Sequence, residues 1–173
     1  MLEGIIINGK EDMHRVYTLR RIACEQFPRL RYKFVDKTGD QEAAHVIVII
    51  DDEDAAVGTL FQDSGLNNDI YILDKIFVKK EYQKEQLGDL VIKMLIDRAF
   101  RLGAKQIWVM SPPDVAGFFT RVGFYIDKAL EVSNDNSRSN SGAILLEDSS
   151  AAIPEANEVK LILTQNKLKK CRH

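Results

Sequence analysis

Residues 78–90, Val-Lys-Lys-Glu-Tyr-Gln-Lys-Glu-Gln-Leu-Gly-Asp-Leu, place the end of a β-rich run, a short polar loop and the start of an apolar-periodic segment in immediate succession. Where a helix begins after such a loop, its first amides lack an intrahelical acceptor and the helix dipole adds about half a positive charge. That junction suits a phosphate or pyrophosphate. Gly88 would let the backbone approach the anion closely, although a lone glycine there is more often merely a turn residue. Lys84 brings mobile positive charge and Glu85 and Asp89 partly cancel it, so backbone dipoles would have to dominate. For proton transfer the candidates are Asp74 as a base and Tyr82, Tyr71 or Tyr125 as acids. The plainer readings are an Asp74 that faces solvent or pairs with Lys75 or Lys93, and tyrosines that pack at strand ends. His14, His45 and His173 show no ligand spacing, so no metal site is expected. Cys24 and Cys171 lie almost a chain length apart without CxxC spacing, which fits a reducing cytoplasm.

The elements that would hold these residues follow from apolar periodicity. Residues 5–7 read as a strand, and Met13, Val16, Tyr17, Leu19, Ile22 and Ala23 recur at helical spacing in a helix that should stop before Pro28. Residues 46–50 and 55–60 read as a hairpin around the acidic run 51–54, and 70–78 as a further strand. The next helix is the longest: Leu87, Leu90, Val91, Met94, Leu95, Ala99 and Leu102 form one stripe, with Gly103 as its C-terminal cap. Residues 107–110 then form a buried strand, and the order strand, helix, strand implies a parallel pair with a right-handed crossover. A short helix over 115–121 ends at Gly123. Strands are expected over 124–132, 143–146 and 159–164.

The bulk numbers set limits on function. A chain of 173 residues with 45% apolar and 29% charged residues should fold as one soluble domain without disulfides or metal. A net charge of −2 with interspersed signs gives no footprint for nucleic acid. No apolar run approaches the roughly 20 residues of a membrane helix, and nothing before Ile5 looks like a cleavable leader. The expected organisation is a domain over 1–164, loop-rich over 133–157, followed by a basic tail over 165–173 that reads as solvated.

Taken with its flanks, the 78–90 segment resembles the acyl-CoA motif of the GNAT acyltransferases, a strand, then Gln/Arg-x-x-Gly-x-Gly/Ala, then an amphipathic helix. Gln83 and Gly88 match its first and last positions. Asp74-Lys75-Ile76-Phe77-Val78 is similar to that family's central strand, and Phe118-Phe119-Thr-Arg-Val-Gly123-Phe124 to its Phe-Tyr-x-x-x-Gly-Phe. Glu25-Gln26, Ala44-His45 and Val57-Gly58-Thr59 resemble segments of small bacterial members, so the likeness spans about 2–164, with 133–157 poorly matched.

The resemblance implies an α/β fold with a mixed sheet, splayed at the central strand and flanked by helices. It also implies an enzyme that moves an acyl group from acetyl-CoA or a related thioester to the amine of a small molecule. Backbone groups at Ile76, Phe77 and Val78 would hold the pantetheine arm and thioester carbonyl; Gln83, Lys84, Glu85, Gln86, Leu87, Gly88 and Asp89 would hold the pyrophosphate. The amine must lose a proton, the oxyanion needs a donor, and the departing thiolate benefits from an acid.

Two positions depart from the motif. Gln86 stands where its first glycine belongs, so its side chain would crowd the phosphate or reroute the loop. Phe119 stands where the resemblance places an acidic tyrosine, which would put its ring beside the departing sulfur with no proton to give. A missing acid can cost about 10²- to 10⁴-fold in rate, although thiolates with a pKa near 8.5 leave tolerably unaided. The alternative is a catalytically degenerate CoA-binding or regulatory module. The residues do not name the acceptor amine or the acyl chain, and a homodimer is kept open.

Overall fold

The computed structural model describes residues 1–8, 10–35, 39–63, 65, 68–127 and 158–165. Among these residues seven strands form one sheet in the order β1-β2-β3-β4-β5-β7-β6. In chain order they are β1 Leu2–Asn8, β2 Ala44–Ile50, β3 Glu53–Gln62, β4 Ile70–Val78, β5 Gln106–Ser111, β6 Tyr125–Ile126 and β7 Val159–Thr164. The helices are α1 Met13–Gln26, α2 Leu87–Arg101 and α3 Pro113–Val122. The pair β4–β5 is parallel and every other strand pair is antiparallel, so the sheet is mixed as expected.

Local chemistry explains the joints. Asp51 and Asp52 both take positive φ, 46° and 65°, between Ile50 and its partner Glu53; this is the two-residue hairpin turn whose twist matches its strands. Half of the acidic run is therefore turn chemistry, and Glu53 and Asp54 begin β3. Helix α1 ends at Phe27 ahead of Pro28, and a 3₁₀ segment, Pro28–Phe34, follows that periodicity did not indicate. Gly103 and Gly123, at φ 94° and 113°, end α2 and α3. Of the strand expected over 124–132, Tyr125–Ile126 is strand while Phe124 and Asp127 are not; 128–132, the stretch 133–157 with the strand expected over 143–146, and the basic tail beyond 165 lie outside the described residues.

The sheet carries a core on each face. On one side the buried stripe Leu87, Val91, Ile92, Leu95 and Ala99 of α2 packs on Val46, Val48, Ala56 and Leu73. On the other, Val16, Leu19 and Ala23 of α1 meet Ile47, Val57 and Phe77. Helix α2 lies so close to β3 that a Cβ on Gly58 would stand 2.5 Å from Val91 Cγ1 and 2.8 Å from Leu95 Cδ1. Opposite Gly58 the ladder loses register: Thr59 pairs with Asp74 and Val57 with Phe77, leaving Lys75 and Ile76 against one residue. Lys75 takes φ 52° in this bulge, which kinks β4.

Candidate functional site

Strands β4 and β5 pair only from Ile70 to Leu73, against Gln106 to Val109. Beyond that point β4 continues to Val78 without β5, which stays paired with β7 as far as Ser111. The strands therefore splay, and the edge of β4 after Leu73 faces a gap. Ile76 and Val78 turn their side chains toward the α2 face and Phe77 toward the α1 face, where Phe27 and Phe34 meet it edge-on. Only the backbone of Phe77 could serve a ligand in the gap.

The gap leads into a cleft of about 880 Å³ between the start of α2 and α3. Ile76, Val78, Gln83, Lys84, Gln86, Gly88 and Asp89 line one wall, and Gly117, Phe118, Phe119 and Arg121 the other. Glu85 is exposed and Leu87 is buried in the core; neither side chain lines the cleft. Their contribution would be backbone.

Helix α2 starts at Leu87 with Gln86 as N-cap, and the cap side chain makes no hydrogen bond to the helix. The first backbone bond is Leu90 N–H to Gln86 O, at 3.3 Å. The amides of Leu87, Gly88 and Asp89 consequently have no intrahelical acceptor, as helix geometry requires, and Gly88 and Asp89 line the cleft. Gln86 adopts φ 56°, ψ 22°, the left-handed conformation a glycine would take without strain. The loop thus keeps the glycine-type path despite the side chain. A Cβ at Gly88 would meet Phe118 Cζ at 3.2 Å, so its lack of a side chain also lets α3 close against α2.

Charge in the cleft is mixed. Lys84 and Arg121 oppose Asp89 and Asp114, and the Arg121 guanidinium lies 5.6 Å from the centre of the Phe118 ring. Arg121 has no signal in the motif pattern, because its side chain enters the cleft from a different helix. A smaller cavity of about 110 Å³ lies between the splayed strands and the 3₁₀ segment, and it shares Ile76, Val115 and Phe119 with the cleft. Asp74 lines this cavity, half-buried, with its Oδ1 accepting the Lys75 N–H at 2.8 Å.

Of the tyrosines considered as acids, Tyr71, Tyr82 and Tyr125 line neither space. Phe119 is 5% exposed and faces both, flanked edge-on by Phe118 and Phe124 at 5.5 and 5.8 Å. Among the described residues no group of His, Cys, Asp and Glu could hold a metal, and no helix is long and apolar enough to cross a membrane.

A model of the acetyltransferase (GNAT) family matches residues 11–124. Among solved structures the chain is similar to an acyl-CoA N-acyltransferase from Pseudomonas aeruginosa, at 14% identity and TM-score 0.64 over 94% of this chain and 99% of that one. It is also similar to an acetyltransferase from Bacillus subtilis in complex with CoA, at 17% identity and TM-score 0.57 over 94% and 99%. The N-acetylglutamate synthase of Neisseria gonorrhoeae, complexed with coenzyme A and N-acetyl-glutamate, matches 94% of this chain at 14% identity and TM-score 0.57. This chain spans 35% of that protein's length. At such identities the likeness establishes the fold alone. A search of curated proteins by sequence found no match.

Proposed function

The chain belongs to the acetyltransferase (GNAT) family, and from that premise we propose that it moves an acetyl or related acyl group from a CoA thioester to the amine of a small molecule. The observation that carries this reading is the splay after Leu73 and Val109, which opens the β4 edge directly onto the start of α2. A pantetheine arm is a chain of amides that can lie against a strand edge, and a pyrophosphate is the group a helix start attracts. The amides of Leu87, Gly88 and Asp89, with Lys84 and Arg121, would hold the pyrophosphate. The backbone from Ile76 to Val78 would hold the arm and bring the thioester beside Phe119.

In the reaction the amine nitrogen attacks the thioester carbon, a C–N bond forms and the C–S bond breaks. The amine proton passes to a base, for which Asp74 is the carboxylate at hand, and the thiolate leaves with the electron pair. Phe119 offers that thiolate no proton, so solvent must supply it. The bound geometry and the amide donors would provide most of the acceleration. A cytoplasmic setting belongs to the same proposal.

The test is CoA binding followed by transfer. CoA at about 100 times its dissociation constant should add roughly 2.7 kcal/mol and raise the melting temperature by about 5 to 10 °C. With acetyl-CoA and a panel of small amines, free thiol should appear above the uncatalysed rate. No melting shift at millimolar CoA would overturn the proposal, and binding without transfer to any amine would reduce it to CoA binding.

A further inference from the structure

The small cavity between the splayed strands has walls that suit a hydrocarbon. Leu30, Phe34, Leu73, Val109 and Met110 are among the residues that form them. Its polar lining groups are engaged with the protein itself. The Lys33 ammonium pairs with Glu158 and donates to Met110 O at 3.2 Å, and the Lys75 ammonium donates to Val35 O. Each lysine therefore presents its methylene stem to the cavity. Ser111 Oγ donates to Pro112 O at 3.1 Å, and Asp74 Oδ1 takes the Lys75 N–H. Apart from the Asp74 carboxylate, proposed above as the base, a group entering here would lose its water and meet mainly carbon.

We propose that this cavity is an acyl-chain pocket, and that the thioesters the protein prefers carry a short hydrocarbon chain of about four carbons rather than acetyl. The inference rests on the acyltransferase reading and specifies its donor. Proximity supports it, since Ile76, Val115 and Phe119 line both this cavity and the cleft assigned to CoA, so the two spaces adjoin at those side chains. A chain attached to a thioester beside Phe119 would have this cavity next to it. The phenylalanine, lacking a hydroxyl, keeps the passage apolar. Size sets the length: a cavity of about 150 Å³ lined by aliphatic side chains holds six-carbon benzene, so about 110 Å³ holds roughly four carbons. Acetyl would leave about half of it empty.

The experiment is calorimetric titration of the full chain, without acceptor, with free CoA, acetyl-CoA, butyryl-CoA and octanoyl-CoA. Each methylene buried in the pocket should tighten binding about fourfold, so butyryl-CoA should bind roughly fifteenfold tighter than acetyl-CoA. Octanoyl-CoA should lose the gain. Equal affinities for acetyl and butyryl thioesters would overturn the inference, as would a gain that continues through octanoyl, which marks an open surface. Leu30→Phe, which narrows this cavity and not the CoA cleft, should cut the butyryl advantage below about twofold with free-CoA affinity retained. A full advantage in that variant would place the chain elsewhere and overturn the assignment. If free CoA fails to bind, the acyltransferase reading falls first and this inference with it.

Discussion

The Tyr82 hydroxyl donates to the Glu53 carboxylate at 2.8 Å, and Glu53 also holds the Lys79 ammonium at 2.6 Å. The lead-in to the α2 loop is thereby tied to the β2–β3 hairpin. Gln26 at the end of α1 ties it a second time, accepting the Lys80 N–H at 3.0 Å. The bond to Glu53 raises the Tyr82 pKa, with burial and the same carboxylate's charge adding to it, while Lys79 and then Tyr82 lower that of Glu53. A phenol so committed, outside the cleft, is a fastener and a poor proton donor. Tyr82→Phe should leave the single-turnover rate of acyl transfer within about threefold, against the 10²-fold or more that loss of a general acid brings. A loss of that larger size in a quench-flow measurement would make Tyr82 the acid.

Gln86 at φ 56° bears strain that a glycine would not, of about 1 kcal/mol. Gln86→Gly should therefore raise the melting temperature by roughly 1 to 4 °C, less whatever the freer unfolded chain takes back. Calorimetric titration with CoA separates the side chain's role from the backbone's. Equal or tighter binding means that the side chain only crowds the phosphate; weaker binding makes it a ligand.

Arg20 of α1 is 2% exposed and grips Asp40 through two bonds of 2.9 and 3.0 Å, while its second nitrogen reaches Thr59 Oγ1 at 2.9 Å. His45 completes the group. Its Nε2 lies 2.8 Å from Asp40 O, a pure acceptor, so Nε2 carries the proton and Nδ1 accepts from Thr59 Oγ1 at 3.0 Å. Burial is the chief reason its pKa is lowered, with the positive charges of Arg20 and Lys75 acting the same way against opposing effects of Asp40. The unfolded chain therefore binds a proton near pH 6.5 that the folded chain refuses. The stability from neutral His45 is present above that pH and is lost as pH falls toward the depressed folded value. The unfolding free energy from urea titrations should fall between pH 7 and 5 with a slope of at most about 1.4 kcal/mol per pH unit, and His45→Gln should flatten this segment. An unchanged slope in the variant would assign the titration to another group.

How much of this was legible beforehand depends on the kind of signal. The stripes of α1 and α2 and the β-branched runs appear in the sequence because burial on one face imposes a period, and the 78–90 segment because a helix start is local. The 3₁₀ segment after Pro28 has no period to betray it. The Arg20–Asp40–Thr59–His45 group joins residues up to 39 positions apart, and spacing carries no record of such a contact. Arg121 enters the cleft, and Lys75 takes a left-handed backbone in the bulge, for tertiary reasons alone. Of the two effects expected of Gln86, crowding the phosphate or rerouting the loop, the backbone bears on the second: it adopts the conformation a glycine would take, and residue type alone does not reveal that.

Phe119 offers the sharpest test of mechanism. It is buried between Phe118 and Phe124 and faces both the CoA cleft and the smaller cavity, so a hydroxyl added to its ring would enter the space where the thiolate is proposed to depart. If the protein is an acyltransferase whose thiolate leaves without help, Phe119→Tyr should raise single-turnover acetyl transfer by an order of magnitude or more. The hydroxyl also enters apolar surroundings, and an unsatisfied one costs about 1 to 3 kcal/mol, so the variant's melting temperature should drop unless ligand is bound. Rate and stability thus move in opposite directions, which separates proton donation from a general tightening of the fold. A rate that rises only together with CoA affinity would point to better positioning instead of acid catalysis. A slower variant from a wild type that already turns over quickly would show that the proton comes from elsewhere. Tyr82, Tyr71 and Tyr125 would then be the residues to change next, each to phenylalanine, with the single-turnover transfer rate as the readout.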